Sequence, residues 1–168
     1  MKHWIFFLLI SLGSGFSVTA QNQTKALKIT GKVKVEKTFS LEQLLRWPML
    51  ELGEVNTSCS SKSKEMTPGV KGILLKSVLD SVAFQYPKAK ELGSYYFKFV
   101  SADGYTLVFS FGEIYNTETG NHLYLITQMN GKQMQDMENG ILLLSPTDLR
   151  TGSRNMKWLK EIVVCKAD

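Results

Sequence analysis

Gly152-Ser153-Arg154-Asn155-Met156-Lys157-Trp158-Leu159-Lys160-Glu161-Ile162 passes from turn-forming and cationic residues into an apolar stretch that continues to Cys165. The stretch predicts a last strand over Met156–Cys165. Trp158 reads as a packing residue near the strand start, because large aromatic side chains mostly bury. Just upstream, Ile141-Leu142-Leu143-Leu144 is an uninterrupted apolar run. That pattern suits a strand covered on both faces.

Working outward, Asn130-Gly131 and Asp103-Gly104 supply the positive φ angles of tight hairpin turns. They predict hairpins pairing Tyr95–Val100 with Tyr105–Phe109, and Leu123–Met129 with a short strand after Gly131. His122 reads as a surface residue at the start of that second hairpin. Leu75, Val78, Leu79 and Val82 have helical spacing, so a helix is expected from about Gly72 to Phe84. Ser60–Gly69 is polar and reads as a loop, after a strand over Glu54–Thr57. Ser40 and Gln43 have capping-box spacing ahead of Leu41, Leu44 and Leu45, and Pro48 stops that short helix. Leu27–Val35 alternates apolar and polar, the period of a half-buried strand. Few short helices among many hairpin-linked strands make an α+β fold with mixed, mostly antiparallel sheets.

Residues 1–20 read as a cleavable secretion signal: Lys2, an apolar run over Trp4–Leu12, and small residues ending Val18-Thr19-Ala20. The expected mature unit is a single domain over 21–168, periplasmic or secreted, with no cysteine at the junction to take a lipid. Nothing after residue 20 is apolar for long enough to span a bilayer. Of 20 basic and 15 acidic residues, the basic ones after the signal are scattered singly. That distribution argues against nucleic acid, which calls for a basic stripe. His122 is the sole histidine after residue 20, and the cysteines are Cys59 and Cys165. Neither a zinc cluster nor a serine triad can be assembled from that set.

Four pieces, taken in order, resemble the molybdopterin-binding oxidoreductase domain family, which has the sulfite oxidase fold. The first is Phe39-Ser40-Leu41-Glu42-Gln43-Leu44-Leu45 after an opening strand. The second is Val55-Asn56-Thr57-Ser58-Cys59 followed by Gly72-Ile73-Leu74-Leu75-Lys76-Ser77-Val78-Leu79. The third joins Ser101-Ala102-Asp103-Gly104-Tyr105 with Asn130-Gly131-Lys132, and the fourth is the stretch that opens this section.

The resemblance implies a molybdenum–molybdopterin cofactor, with Cys59 as catalytic thiolate ligand to the metal and Arg154, Asn155 and Lys157 around the pterin phosphate. A soft thiolate suits such a metal, and cationic and amide donors suit a phosphate. The implied activity is an oxo-transfer oxidoreductase acting on a small oxo donor or acceptor, with an external electron-transfer protein as partner. Read from its own surroundings, Cys59 has three possible roles: a reactive thiol in a basic polar setting, half of a bridge to Cys165, or a small buried hydrophobe. Cys165, sharing a strand face with Val163, reads as inert core. Arg154 and Lys157 also suit plain solvated charges. The segment Met1-Lys2-His3-Trp4 has no Arg-Arg pair, and the loop after Cys59 carries lysines rather than arginines. These features define the alternative, a cofactor-free ligand- or protein-binding module that keeps the fold.

Overall fold

Ser40 caps the first helix as its spacing predicts: its hydroxyl accepts from the Gln43 amide, and the Gln43 side chain accepts from the Ser40 amide. This α1 (Leu41–Leu44) buries Leu41 and Leu44. The computed structural model describes residues 24–60, 64–149 and 151–168. The secretion signal expected over 1–20 lies outside the described residues, and among those described no helix is long and apolar enough to cross a membrane.

Among the described residues, ten strands form two sheets. The first contains β1 (Ala26–Gly31), β2 (Lys37–Ser40), β5 (Tyr95–Ser101), β6 (Thr106–Ser110) and β10 (Leu159–Lys166), in the order β2-β1-β10-β5-β6. The second contains β3 (Leu50–Asn56), β4 (Met66–Leu74), β7 (Tyr124–Met129) and β8 (Lys132–Gln133) in sequence order, with β9 (Leu142–Leu144) also on β7. Among these strands of the described residues, β1 and β10 pair in parallel and the other pairings are antiparallel. The inward residues alternate as a pleat requires: Leu27 and Ile29, Phe97 and Phe99, Ile162 and Val164 are all buried. The continuous run read at Ile141–Leu144 is buried throughout.

Several expected boundaries move. The opening strand ends at Gly31, where φ is +86° and an added Cβ would lie 2.2 Å from the Val164 carbonyl oxygen; the chain then turns back to form β2. The loop expected over Ser60–Gly69 is shorter, since Met66 already pairs with Asn56. The helix expected from Gly72 to Phe84 is only α2 (Leu75–Asp80), because Ile73 and Leu74 still pair with Leu125 and Tyr124. Between Phe109 and Leu123 the sequence reading placed no helix, yet α3 (Phe111–Asn116) and α4 (Glu118–Asn121) occupy it. His122 caps the end of α4, with its Nδ1 2.9 Å from the Glu118 carbonyl oxygen.

The last strand begins at Leu159 and not at Met156. Before it, Met156 pairs with Leu143, and the Leu159 amide donates to the Ile141 carbonyl. The chain therefore leaves the second sheet and enters the first at Trp158, whose φ is +52°. That left-handed angle is strained for a bulky side chain. It is anchored on three sides: the Trp158 amide donates to Asn139, its carbonyl accepts from Ala102, and its indole N–H donates to Glu138. Cys165 differs from the expectation of inert core. It does share a face with Val163, but the buried face of β10 is that of Ile162 and Val164, so Cys165 sits half-exposed on the outer side.

Candidate functional site

Three chain segments meet where the two sheets join: the turn after β3, the β5–β6 turn, and the crossing from β9 to β10. They enclose an open cleft of about 510 Å³. Cys59 and Ser60 come from the first segment, Asp103 and Tyr105 from the second, and Ser153, Lys157 and Trp158 from the third.

The Cys59 turn is organised by Asn56, whose side-chain oxygen accepts from the Ser58 amide at 3.1 Å and from the Glu65 amide at 3.0 Å. An asparagine at a strand end favours this kind of side-chain-to-backbone turn. The Thr57 amide donates to Glu65, and the Thr57 and Thr67 hydroxyls meet at 2.8 Å. Cys59 thus leaves the sheet on a short, tied loop, half-buried against the core. Burial pushes its thiol pKa up, the positive charge of Lys157 pulls it back, and Glu65 adds to the rise; the net direction is upward. The sequence reading of a basic setting that lowers this pKa is therefore corrected: removal from water outweighs the nearby ammonium.

Of the residues expected to surround a phosphate, Lys157 lines the cleft, and no ion pair engages it among the described residues. Arg154 does not line it. Its Nε and Nη2 reach both Asp148 carboxylate oxygens at 2.6 Å, its Nη1 reaches Glu113 Oε1 at 2.7 Å, and its guanidinium lies 4.4 Å from the centre of the Phe109 ring. It is neither a free phosphate donor nor a solvated charge. Asn155 borders the cleft but is 2% exposed. Its Nδ2 donates to the Ser58 carbonyl at 2.8 Å and the Asn56 carbonyl at 3.4 Å, while its Oδ1 accepts from the Ser145 amide at 3.0 Å. The amide is consumed by backbone.

Asp103 and Gly104 read from sequence as turn chemistry alone, and Tyr105 as the start of the following strand; Asp103 does make the turn, its carboxylate accepting from the Tyr105 amide at 3.0 Å. The Ser101 hydroxyl, followed by the Tyr105 amide, holds the Asp103 carboxyl below the usual carboxylate range. The Tyr105 hydroxyl donates to the Ser153 carbonyl at 2.8 Å, across the cleft mouth. No signal in a single sequence places these residues beside Cys59. Trp158, read as packing, also forms cleft wall. His122 is not part of the cleft lining. Both cysteines are free thiols. Among the described residues, no group of three or more His, Cys, Asp or Glu gathers to hold a metal ion.

Among solved structures, the sulfane dehydrogenase SoxCD from Paracoccus pantotrophus is similar with a TM-score of 0.58 and 15% sequence identity. The match covers 88% of this chain and 39% of that one, so this chain spans well under half of its neighbour. At that identity the likeness establishes the sulfite oxidase fold. No curated protein matches the chain. The family described as "Oxidoreductase molybdopterin binding domain" matches residues 16–168. With nearly the whole chain matched and the α+β architecture in place, the protein belongs to the molybdopterin-binding oxidoreductase domain family.

Proposed function

We propose that this chain is an exported oxidoreductase-type domain that binds a molybdenum–molybdopterin cofactor in the cleft, with Cys59 as thiolate ligand and Lys157 on the pterin phosphate. The observation that carries the reading is Cys59 itself, held on a tied loop and opening onto a cleft of about 510 Å³. The donor chemistry suits such a group. A thiolate is a soft ligand, and with no metal cluster gathered among the described residues, a metal here takes its other donors from a cofactor that brings them. The raised thiol pKa is no obstacle, because a coordinating metal deprotonates the thiol outright.

When bound, the metal supplies oxo transfer to or from a small substrate, and an external electron-transfer protein exchanges the electrons. The chain's own residues do the rest. Cys59 fixes the metal, Lys157 supplies a point charge for phosphate, and Tyr105 and Trp158 wall the cleft against bulk water. Arg154 and Asn155 hold the wall together from behind.

The test is molybdenum and pterin content of protein purified from its native envelope. About one molybdenum per chain, lost in Cys59→Ser, is the expected result. No metal in the wild type would overturn the reading.

One observation favours a second reading, a cofactor-free ligand- or protein-binding module. Arg154 and Asn155 are spent inside the protein, leaving Lys157 as the cation lining the cleft among the described residues. A metal-free native protein that retains a ligand or partner through Lys157, and loses it in Lys157→Ala, would favour the module.

A further inference from the structure

We infer that Asn155 is a positioning residue for Cys59: its buried carboxamide ties the turn after β3 to the β9–β10 crossing, and so sets how the Cys59 thiol opens into the cleft. The inference rests on reading Cys59 as the working thiol of that cleft.

Asn155 reaches three backbone groups that the sequence keeps far apart. Ser145 is 10 residues away, Ser58 is 97 and Asn56 is 99. A carboxamide has donors on nitrogen and an acceptor oxygen, and this geometry uses both ends. Its nitrogen holds the carbonyl immediately before Cys59, and its oxygen holds the chain as it leaves β9. The side chain is almost fully buried, so water does not replace these bonds while the loop stays seated.

The Cys59 turn has its own internal closure through Asn56 and Thr57. Removing the Asn155 amide therefore leaves the turn's own closure in place and loosens its hold on the crossing. Cys59 then changes its presentation to the cleft, while Cys165, on the outer face of the first sheet, does not. Aspartate at position 155 sharpens the point. It has nearly the same volume and keeps an acceptor for Ser145, but turns a second oxygen toward the Ser58 and Asn56 carbonyls.

The experiment measures iodoacetamide alkylation of the full-length folded protein in metal-free form, checked by elemental analysis, with Cys59 and Cys165 quantified separately by peptide mass spectrometry. Wild type, Asn155→Ala, Asn155→Asp and a destabilised control, Val78→Ala in α2, are compared. The Cys59 rate should rise about tenfold in both Asn155 variants, which corresponds to ~1.4 kcal/mol of lost seating. The Cys165 rate should stay within about twofold of wild type, and the control should show no preference for Cys59. Equal acceleration at both cysteines, or an unchanged Cys59 rate, would overturn the inference. Should Asn155→Ala not fold, the volume-conserving Asn155→Asp decides. Hydrogen exchange on the wild type needs no variant: the Ser145 amide should be protected as well as β9, and rapid exchange there would also overturn the inference. None of these readouts needs a bound cofactor, so a metal-free native protein would sink the proposed function without touching this result.

Discussion

Arg154 illustrates how a single side chain changes meaning once its neighbours are known. The family resemblance implies a phosphate-binding role for this cation, but its partners, Asp148 and Glu113, come from 6 and 41 residues away. No reading of one sequence brings Glu113 of α3 to that point. Because the guanidinium fork spans two carboxylates and stacks on Phe109, lysine is a poor substitute. Arg154→Lys should destabilise the protein by about 1–2 kcal/mol, read as a lower urea midpoint at unchanged slope. A pH dependence follows from Glu113. Burial pushes its carboxyl upward, but the Ser110 amide, the Arg154 guanidinium and the Ser110 hydroxyl outweigh it and hold the pKa below its ordinary value. A carboxylate depressed in the folded state contributes stability that is present above its unfolded pKa of ~4.3 and is lost as pH falls through the lower, folded value. Arg154→Lys should therefore differ most from wild type near neutral pH and converge with it in acid. A constant gap across that range would mean that the ion pair is not what the substitution removes.

At the scale of elements, the strands were far easier to read than the helices. Period-2 alternation and the Asp103-Gly104 and Asn130-Gly131 turns mark the hairpins directly, and the Ser40–Gln43 capping box marks α1. The same signature stands at Ser110 and Glu113, where the hydroxyl accepts from the Glu113 amide at 3.1 Å and the carboxylate accepts from the Ser110 amide at 2.8 Å. The helix it starts has 6 residues, too few for apolar spacing to reveal, and the elbow into α4 depends on a contact between backbones. At Gly120 an added Cβ would lie 1.7 Å from the Ile114 carbonyl oxygen. Gly120→Ala must push the two helices apart, and should cost about 2–3 kcal/mol, seen as a lower thermal midpoint. Since Glu113 sits on the displaced helix, the Arg154 contact should loosen as well. A variant with a wild-type midpoint would show that the elbow has room. The corner at Trp158 was hidden for a related reason: the sequence runs on apolar from Met156, and only the left-handed angle shows that Met156 belongs to one sheet's ladder and Leu159 to the other's.

For the molecule as a whole, the cleft lies where the β9–β10 crossing carries the chain from the second sheet into the central strand of the first, and this arrangement also separates the two cysteines. The order and spacing of the family-like segments made the α+β fold legible, since each marks a strand or turn that recurs in sequence order. Of the residues that the resemblance singles out, Cys59, Asn155 and Lys157 border the cleft, whereas Arg154 turns to Asp148 and Glu113, and no spacing in the sequence ties Glu113 to it or the Ser58 carbonyl to Asn155. The disulfide left open by the sequence is decided by strand length. Trp158 lines the cleft at the start of β10, and Cys165 lies 7 residues further along, or ~23 Å at the rise of an extended strand. Disulfide geometry requires α-carbons within ~7 Å. Cys59 borders the cleft, whereas Cys165 lines a different hollow with Tyr96 and Gly31. An intramolecular bridge would therefore have to dismantle the pairing of β10 with β5. Protein prepared without reductant should keep the same intact monomer mass before and after reduction, and both thiols should titrate in denaturant. A mass lower by two hydrogens that reverts on reduction would mean that the crossing is built differently, and the assignment of Cys59 to the cleft would fall with it.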